Sequence, residues 1–398
     1  MSWQKYAIFF TAVVLQSCAY GSTFILVELF ASQGHTALAV GRSSATTAIG
    51  AVALTFVAGR LVNWLGEIYV ITGTSFCLSA ALTVFVFVDG VFGQLLGGLL
   101  LGAGWGLFYT LIPVVLAKTV AAEHRARLFS LMAVFISMGF GLTPFLANYV
   151  SSTFFGISGV FIIIAVGCAI AGSLFLVLHH ALGNDAPTEM NTPATSFASI
   201  ASTIVSSAFP LLALIALGAF IFSAVNSFQI VYAKAHGWNY GHYFLANTCA
   251  AVFGRLIYSV WFSRFRGLKT VCILYLVTLA SLALYLINQD DQALYLMTGI
   301  LYGIGYGVSY PIVMALIANH DTEARVTDIL QTTGLIFLLF LFGAPYITAP
   351  LIEARGIDVI YPILTVLGGM KMIIVIICVW LSARRKPHPE ILVRRKLI

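Results

Sequence analysis

"GLLLGAGWGLFY" occupies residues 98–109, and "GILYGIGYGVSY" occupies residues 299–310. The two segments stand 201 residues apart and agree at six of twelve positions: Gly98, Leu100, Gly102, Gly104, Gly106 and Tyr109 in the first copy. Each copy repeats glycine every four residues, as Gly98, Gly102, Gly106 and as Gly299, Gly303, Gly307. That spacing lays small residues along one face of a helix and lets a second helix approach closely. At the same offset, Gly66 of "AGRLVNWLGE" (58–67) falls on Gly267 of "VWFSRFRGLK" (260–269). Two separate segments sharing one offset indicate an internal duplication.

The composition fixes the solvent. Of 398 residues, 60% are hydrophobic and 9% are charged, and the mean hydropathy is +1.00. Soluble domains carry roughly 25% charged residues, so this chain reads as an all-α membrane protein. A spanning helix needs about 20 mostly apolar residues. Twelve stretches meet that need: 6–30, 37–58, 68–88, 92–117, 128–150, 157–179, 209–233, 240–262, 270–287, 293–318, 328–350 and 358–382. The longest connection, 180–208, holds "GNDAPTEMNTPATS" and reads as a cytoplasmic linker between two pseudo-symmetric six-helix bundles, 1–179 and 209–398. The opening "MSWQKY" runs straight into apolar sequence, so the first span reads as a retained helix rather than a cleaved signal.

With both termini cytoplasmic, fifteen of the twenty Lys and Arg residues fall on the inner side, including the basic tail. This bias supports a multi-pass cell-membrane topology, the inner membrane in a bacterium. The formal net charge of +6 is then membrane anchoring rather than a nucleic-acid footprint. The six cysteines lie in apolar runs without metal-ligand spacing, so neither a metal site nor a disulfide framework is expected. No Ser/His, paired-acid or metal-ligand set shares one depth, which ranks an intramembrane enzyme last among the readings.

Duplicated halves, a central linker and the 58–67 joint together resemble the major facilitator superfamily. Its motif between spans 2 and 3 is Gly-x-Leu-Ala-Asp-Arg-x-Gly-Arg-Lys. Here Gly59, Leu61 and Gly66 match, Asn63 replaces the aspartate, and Trp64, Glu67 and Ile68 replace the basic positions. In the second copy Arg264 stands at the aspartate's place and Gly267 at the second glycine's. The resemblance implies an inner gate at Gly59, Asn63, Gly66, Arg264 and Gly267, altered from the usual charged latch; a plain tight turn is the other reading. Asn63 retains the ability to hydrogen-bond or to cap the following helix. Span 5, with "GFGLTPFLAN" (139–148), partly resembles the exporter-associated Gly-Pro motif through Gly139 and Pro144, and tilts the direction toward export.

The resemblance implies a secondary transporter for a small organic solute, working by alternating access, with no cofactor. A proton partner, a monomeric state and a cavity lined by spans 1, 4, 7 and 10 are further expectations. An uptake permease for a carboxylate or siderophore-like metabolite and a non-transporting sensor on the same fold are the alternatives. On the lining spans, Gln16 and Tyr20 share a face, Asn226, Gln229 and Tyr232 recur every three residues, and Trp105 and Tyr109 match Tyr306 and Tyr310. These residues form the candidate substrate site, and packing is the competing role of each.

Charges inside a membrane are expensive and mark function by default. Arg255 is placed near the midplane of span 8, with no carboxylate at its depth. It therefore points to an anionic or zwitterionic substrate; the competing role is a structural arginine held by helix carbonyls. Lys371, deep in span 12, is expected to be structural or lipid-facing. Glu28 is either a proton carrier or the partner of Arg42 at the outer mouth.

Overall fold

The computed structural model describes residues 3–119, 122–152, 155–182, 197–258, 267–288, 290–318 and 323–384. All regular elements in them are helical. In chain order they are α1 (Trp3–Gly21), a 3-10 turn (Ser22–Phe24), α2 (Leu26–Ser32), α3 (Ala37–Leu65), α4 (Glu67–Phe87), α5 (Gly90–Thr119), α6 (Ala122–Val150) and α7 (Gly156–Leu182). They continue with α8 (Phe197–Ile204), α9 (Phe209–Ser227), α10 (Gln229–Ala235), α11 (Tyr240–Ile257), α12 (Leu268–Ile287), α13 (Gln292–Ala318), α14 (Glu323–Arg355) and α15 (Ile360–Arg384). Among the described residues, 11 spans are long and apolar enough to cross a membrane. The remaining expected span begins as α11, whose His242, Asn247 and Arg255 lower its apolar character. Its expected end at 262 lies outside the described residues.

Two expected single spans are broken. The stretch 6–30 divides at Ser22–Ile25, and the stretch 209–233 divides at Phe228. Short polar side chains turned back on the helix carbonyls accompany both breaks. Ser22 Oγ donates to Ala19 O and Thr23 Oγ1 to Tyr20 O, each at 2.7 Å, while Asn226 Nδ2 donates to Phe222 O at 2.7 Å. Such back-bonds compete with the helical ladder and bend it. The expected linker also contains structure, since α8 packs on α14 and α9.

The joint at 58–67 is shorter than the motif suggests. α3 runs through Gly59 and Asn63 to Leu65, and the whole reversal falls on Gly66. Its φ of 85° is a conformation that disfavours any side chain, and its N–H closes on Val62 O at 2.8 Å. Asn63 is exposed and does not cap α4, whose N-cap is Gly66 itself. Gly267 likewise stands immediately before α12. Arg264 lies outside the described residues.

The glycine rows are packing seams in both copies. A Cβ on Gly98 or Gly102 of α5 would strike the carbonyls of Ser43 and Thr47 on α3, and one on Gly106 would come within 2.8 Å of Ala51 Cα. In the second copy a Cβ on Gly303 of α13 would strike Asn247 O on α11, and one on Gly307 would lie 2.7 Å from Ala251 Cβ. Backbone-to-backbone approach of this kind is how helices associate where lipid removes the hydrophobic drive.

α1 and α3–α7 pack on one another, and so do α9 and α11–α15. The two groups meet chiefly where α3 lies on α14 and α6 on α11. Two close glycine crossings between the groups lie far from the face at which α1 begins. Near the start of α3, a Cβ on Gly41 would lie 3.1 Å from Ala349 Cβ, and on α6 the Cβ of any residue at Gly141 would strike Thr248.

Candidate functional site

Between the two groups lies a continuous stack of rings. Tyr20 lies flat on Trp105, with centroids 4.8 Å apart and planes at 16°, and meets Phe342 of α14 edge-on at 6.0 Å. Phe222 of α9 stacks on Tyr306 at 4.6 Å and contacts Phe24 and Phe140. Tyr109 stacks on Phe337 at 5.6 Å, and Tyr310 contacts the same ring at 5.2 Å. Tyr109 and Tyr310 join directly, hydroxyl to hydroxyl, at 2.7 Å. They are 201 residues apart, the separation of the two glycine segments.

This hydroxyl pair holds the two helix groups together on the side toward the α1 start face. One net hydrogen bond is worth about 1 kcal/mol. Tyr109→Phe is therefore expected to shift the population toward the separated arrangement by roughly fivefold. Pulsed electron-spin distance measurements between spin labels on α3 and α14 read that shift.

Arg255 lies at the edge of the rings and crosses between the groups. Its Nε donates to Gly307 O at 2.7 Å, and its Nη1 donates to Ser137 Oγ and, at 3.4 Å, to Ala133 O on α6. Arg255 is 15 residues into α11, about 22 Å at 1.5 Å per residue, nearer the α1 start face than mid-helix. No bond from Nη2 occurs among the described residues, and neither does a carboxylate partner. Tyr109, Tyr306 and Tyr310 lie within electrostatic reach of the guanidinium. Trp105 Nε1, Asn226 Oδ1 and Tyr302 OH are among the polar atoms buried without a hydrogen-bond partner on this cluster's helices.

Other expected residues are placed elsewhere. Gln16 is fully buried against α4; its Nε2 donates to Thr74 Oγ1 at 2.7 Å, and its Oε1 accepts from Ser75 Oγ at 3.1 Å. It locks α1 to α4 and has no free amide for a solute. Gln229 donates to Tyr295 OH at 3.0 Å and accepts from Tyr285 OH at 3.2 Å. Tyr232 sits among Trp238, Tyr285, Tyr295 and Tyr361. Both belong to a tyrosine-rich cluster of the C-terminal group, away from Arg255. The break at Phe228 explains this: it rotates α10 out of register with α9, so a three-residue spacing across it no longer marks one face.

Glu28 does not pair with Arg42. Its Oε1 meets Lys234 Nζ at 2.8 Å, and its Oε2 accepts from Tyr240 OH at 2.8 Å, so it ties α2 to α10 and α11. Arg42 donates instead to Gln94 Oε1 at 3.0 Å. Lys234 is half exposed, and exposed pairs contribute under about 1 kcal/mol. Glu28→Gln is accordingly expected to change the opening rate of this face by no more than about fivefold, read as the alkylation rate of a cysteine introduced beside the pair.

Sequence reasoning passes over Phe222, Phe337, Phe342, Ser137 and Lys234. An apolar ring in an apolar span carries no mark of its own. Lys234 had one: it ends α10 as Glu28 begins α2, at the same face.

A family model described as the Major Facilitator Superfamily matches residues 8–334. Among solved structures, the nucleoside transporter NupG aligns at 13% identity and a TM-score of 0.72, covering 96% of this chain and 100% of that chain. A point mutant of it aligns at 15% identity and a TM-score of 0.71, covering 94% and 99%. An auto-inhibited POT family peptide transporter aligns at 11% identity and 0.72, covering 97% and 98%. No curated protein matches. At these identities the structural likeness speaks for the fold alone.

Proposed function

This chain belongs to the major facilitator superfamily, and we propose that it moves a small anionic or zwitterionic organic solute by rocking two six-helix halves, residues 1–179 and 209–398. The observation that carries the substrate class is Arg255: a guanidinium between the halves, with Nη2 uncommitted, no carboxylate among the described residues, and tyrosine rings around it. A buried arginine with donors to spare favours a carboxylate or phosphate. The rings of Tyr20, Trp105, Tyr306 and Phe222 supply flat apolar faces for the remainder of the solute. Nucleoside and peptide transporters among the structural neighbours are in keeping with an organic cargo.

Twelve spans and a twofold relation between the halves are part of this reading. Residues related by a twofold axis along the membrane normal touch each other only at the axis. The bond between Tyr109 and Tyr310, separated by the repeat offset, supports an axis there. Tight crossings at Gly41 and Gly141 support a state closed at the face away from the α1 start. We take that face as external and export as the direction, on the partial Gly-Pro element of α6.

Counterflow in proteoliposomes tests the reading. Preloading with a panel of carboxylates, amino acids, short peptides and phosphorylated metabolites is expected to drive accumulation of at least one labelled anion or zwitterion. Exchange restricted to neutral or cationic solutes overturns the substrate class, and no exchange of any solute favours a sensor.

A further inference from the structure

Lys371 does not face lipid. It is 3% exposed, and its Nζ lies 3.8 Å from the Tyr275 ring centroid and 5.7 Å from that of Tyr306. The amine reaches this position from α15 because α9 carries glycine there. A Cβ on Gly218 would stand 3.1 Å from Nζ and 3.6 Å from Tyr306 Cε2, so a longer side chain would displace one of them. The amine thus touches α9 and α13, the two helices whose Phe222 and Tyr306 stack in the central cluster.

Among the described residues no carboxylate pairs with the amine. α9, α12, α13 and α15 contain no Asp or Glu in their spans. Among the described residues the titratable groups at the amine are Tyr275 of α12 and Tyr306 of α13; α9 contributes none. No hydrogen bond from the amine is found among the described residues; Gly218 and the ring faces of Tyr275 and Tyr306 lie against it. Ring faces attract the ammonium form, while burial in a membrane favours the neutral amine. Opposed preferences of this kind make the charge switchable. Arg255, a cation at the edge of the ring cluster, cannot play that part, because a guanidinium stays protonated.

We propose that Lys371 is a proton-binding site of the transport cycle. The neutral ε-amine takes up one proton from water reached on one face, becoming the ammonium held over Tyr275. After the halves rearrange, it releases that proton to water on the other face. The charge appears and disappears against Gly218 and Tyr306, which links it to the helices bearing the ring cluster. The proposal rests on the transport reading, but its test needs no substrate.

The full-length protein is reconstituted and adsorbed as proteoliposomes on a solid-supported membrane, and charge displacement is recorded on pH jumps. The proton is the only probe. Wild type is expected to give a transient that Lys371→Met reduces at least tenfold, while Glu28→Gln retains it. Lys371→Arg is expected to lose it as well, because arginine keeps its charge. This variant also serves if the methionine variant does not yield monodisperse protein. Wild-type transients in Lys371→Met or Lys371→Arg overturn the proposal, as does their loss in Glu28→Gln alone. Absence of any wild-type transient overturns proton binding and leaves substrate counterflow, measured separately, to decide the transport reading.

Discussion

Replacing Arg255 with glutamine is expected to lower affinity for an anionic substrate by about 30- to 150-fold, while leaving neutral analogues nearly unchanged. The figure follows from losing charge-assisted hydrogen bonds worth about 2–3 kcal/mol in a desolvated setting. The glutamine amide nitrogen stands where Nε does and keeps a donor toward Gly307 O, so the contact between α11 and α13 is retained, while the bond from Nη1 to Ser137 Oγ on α6 is lost. What it removes is the charge and the free Nη2 fork. Lysine at the same position restores charge without the planar fork, so Arg255→Lys is expected to recover only part of the affinity. Isothermal titration in detergent, with anionic and neutral forms of one solute, separates the roles. An equal loss for both forms would mean that Arg255 acts structurally, as a guanidinium held by helix carbonyls.

The second large effect concerns folding. Gly102→Leu and Gly303→Leu are each expected to abolish recovery of monodisperse protein. Gly102→Ala is expected to cost about 1–3 kcal/mol, the usual penalty of overpacking a filled interior. The cause is steric and backbone-borne: any Cβ at Gly102 meets Thr47 O, and any at Gly303 meets Asn247 O. A carbonyl cannot swing aside as a side chain can, so whole helices must separate. Gly369 of α15 supplies the control, since beyond its own helical turn no atom lies within 4 Å of a Cβ built there. Gly369→Ala is expected to match or slightly exceed wild type, because alanine is the better helix former. Thermal unfolding followed by size-exclusion chromatography measures all of these. A Gly102→Ala protein as stable as wild type would remove the seam from the account.

Span positions were legible wherever a stretch was apolar throughout, because length and hydropathy alone decide insertion into a bilayer. The glycine rows were legible as packing stripes, and both copies do serve as seams. The joint at 58–67 was legible only in part. Gly66 makes the turn, while Gly59 remains within α3. A glycine tolerated inside a helix and a glycine that ends one look alike in sequence.

Side-chain destinations were the least legible. Gln16 and Tyr20 share a face by spacing, yet Gln16 turns to Thr74 and Ser75 while Tyr20 turns to Trp105 and Phe342. One helix turn spans both a helix–helix seam and the space between the groups, and periodicity does not tell them apart. Glu28 pairs with Lys234, 206 positions later, while Arg42, nearer in sequence, binds Gln94. Lys371 reached the interior because Gly218, 153 positions earlier, leaves room for it.

By itself the sequence determined the solvent, the helical class, the repeat offset of 201 and the presence of two cations among apolar residues. These are set by composition and by spacing along one chain. Tertiary structure alone decided that Tyr109 meets Tyr310, that Arg255 bridges α6 and α13, and that the Lys371 amine stands between Tyr275 and Tyr306. Each of those facts depends on how helices distant in sequence are rotated and spaced against one another. That rotation is fixed by close packing across seams, to which residues from every helix contribute together.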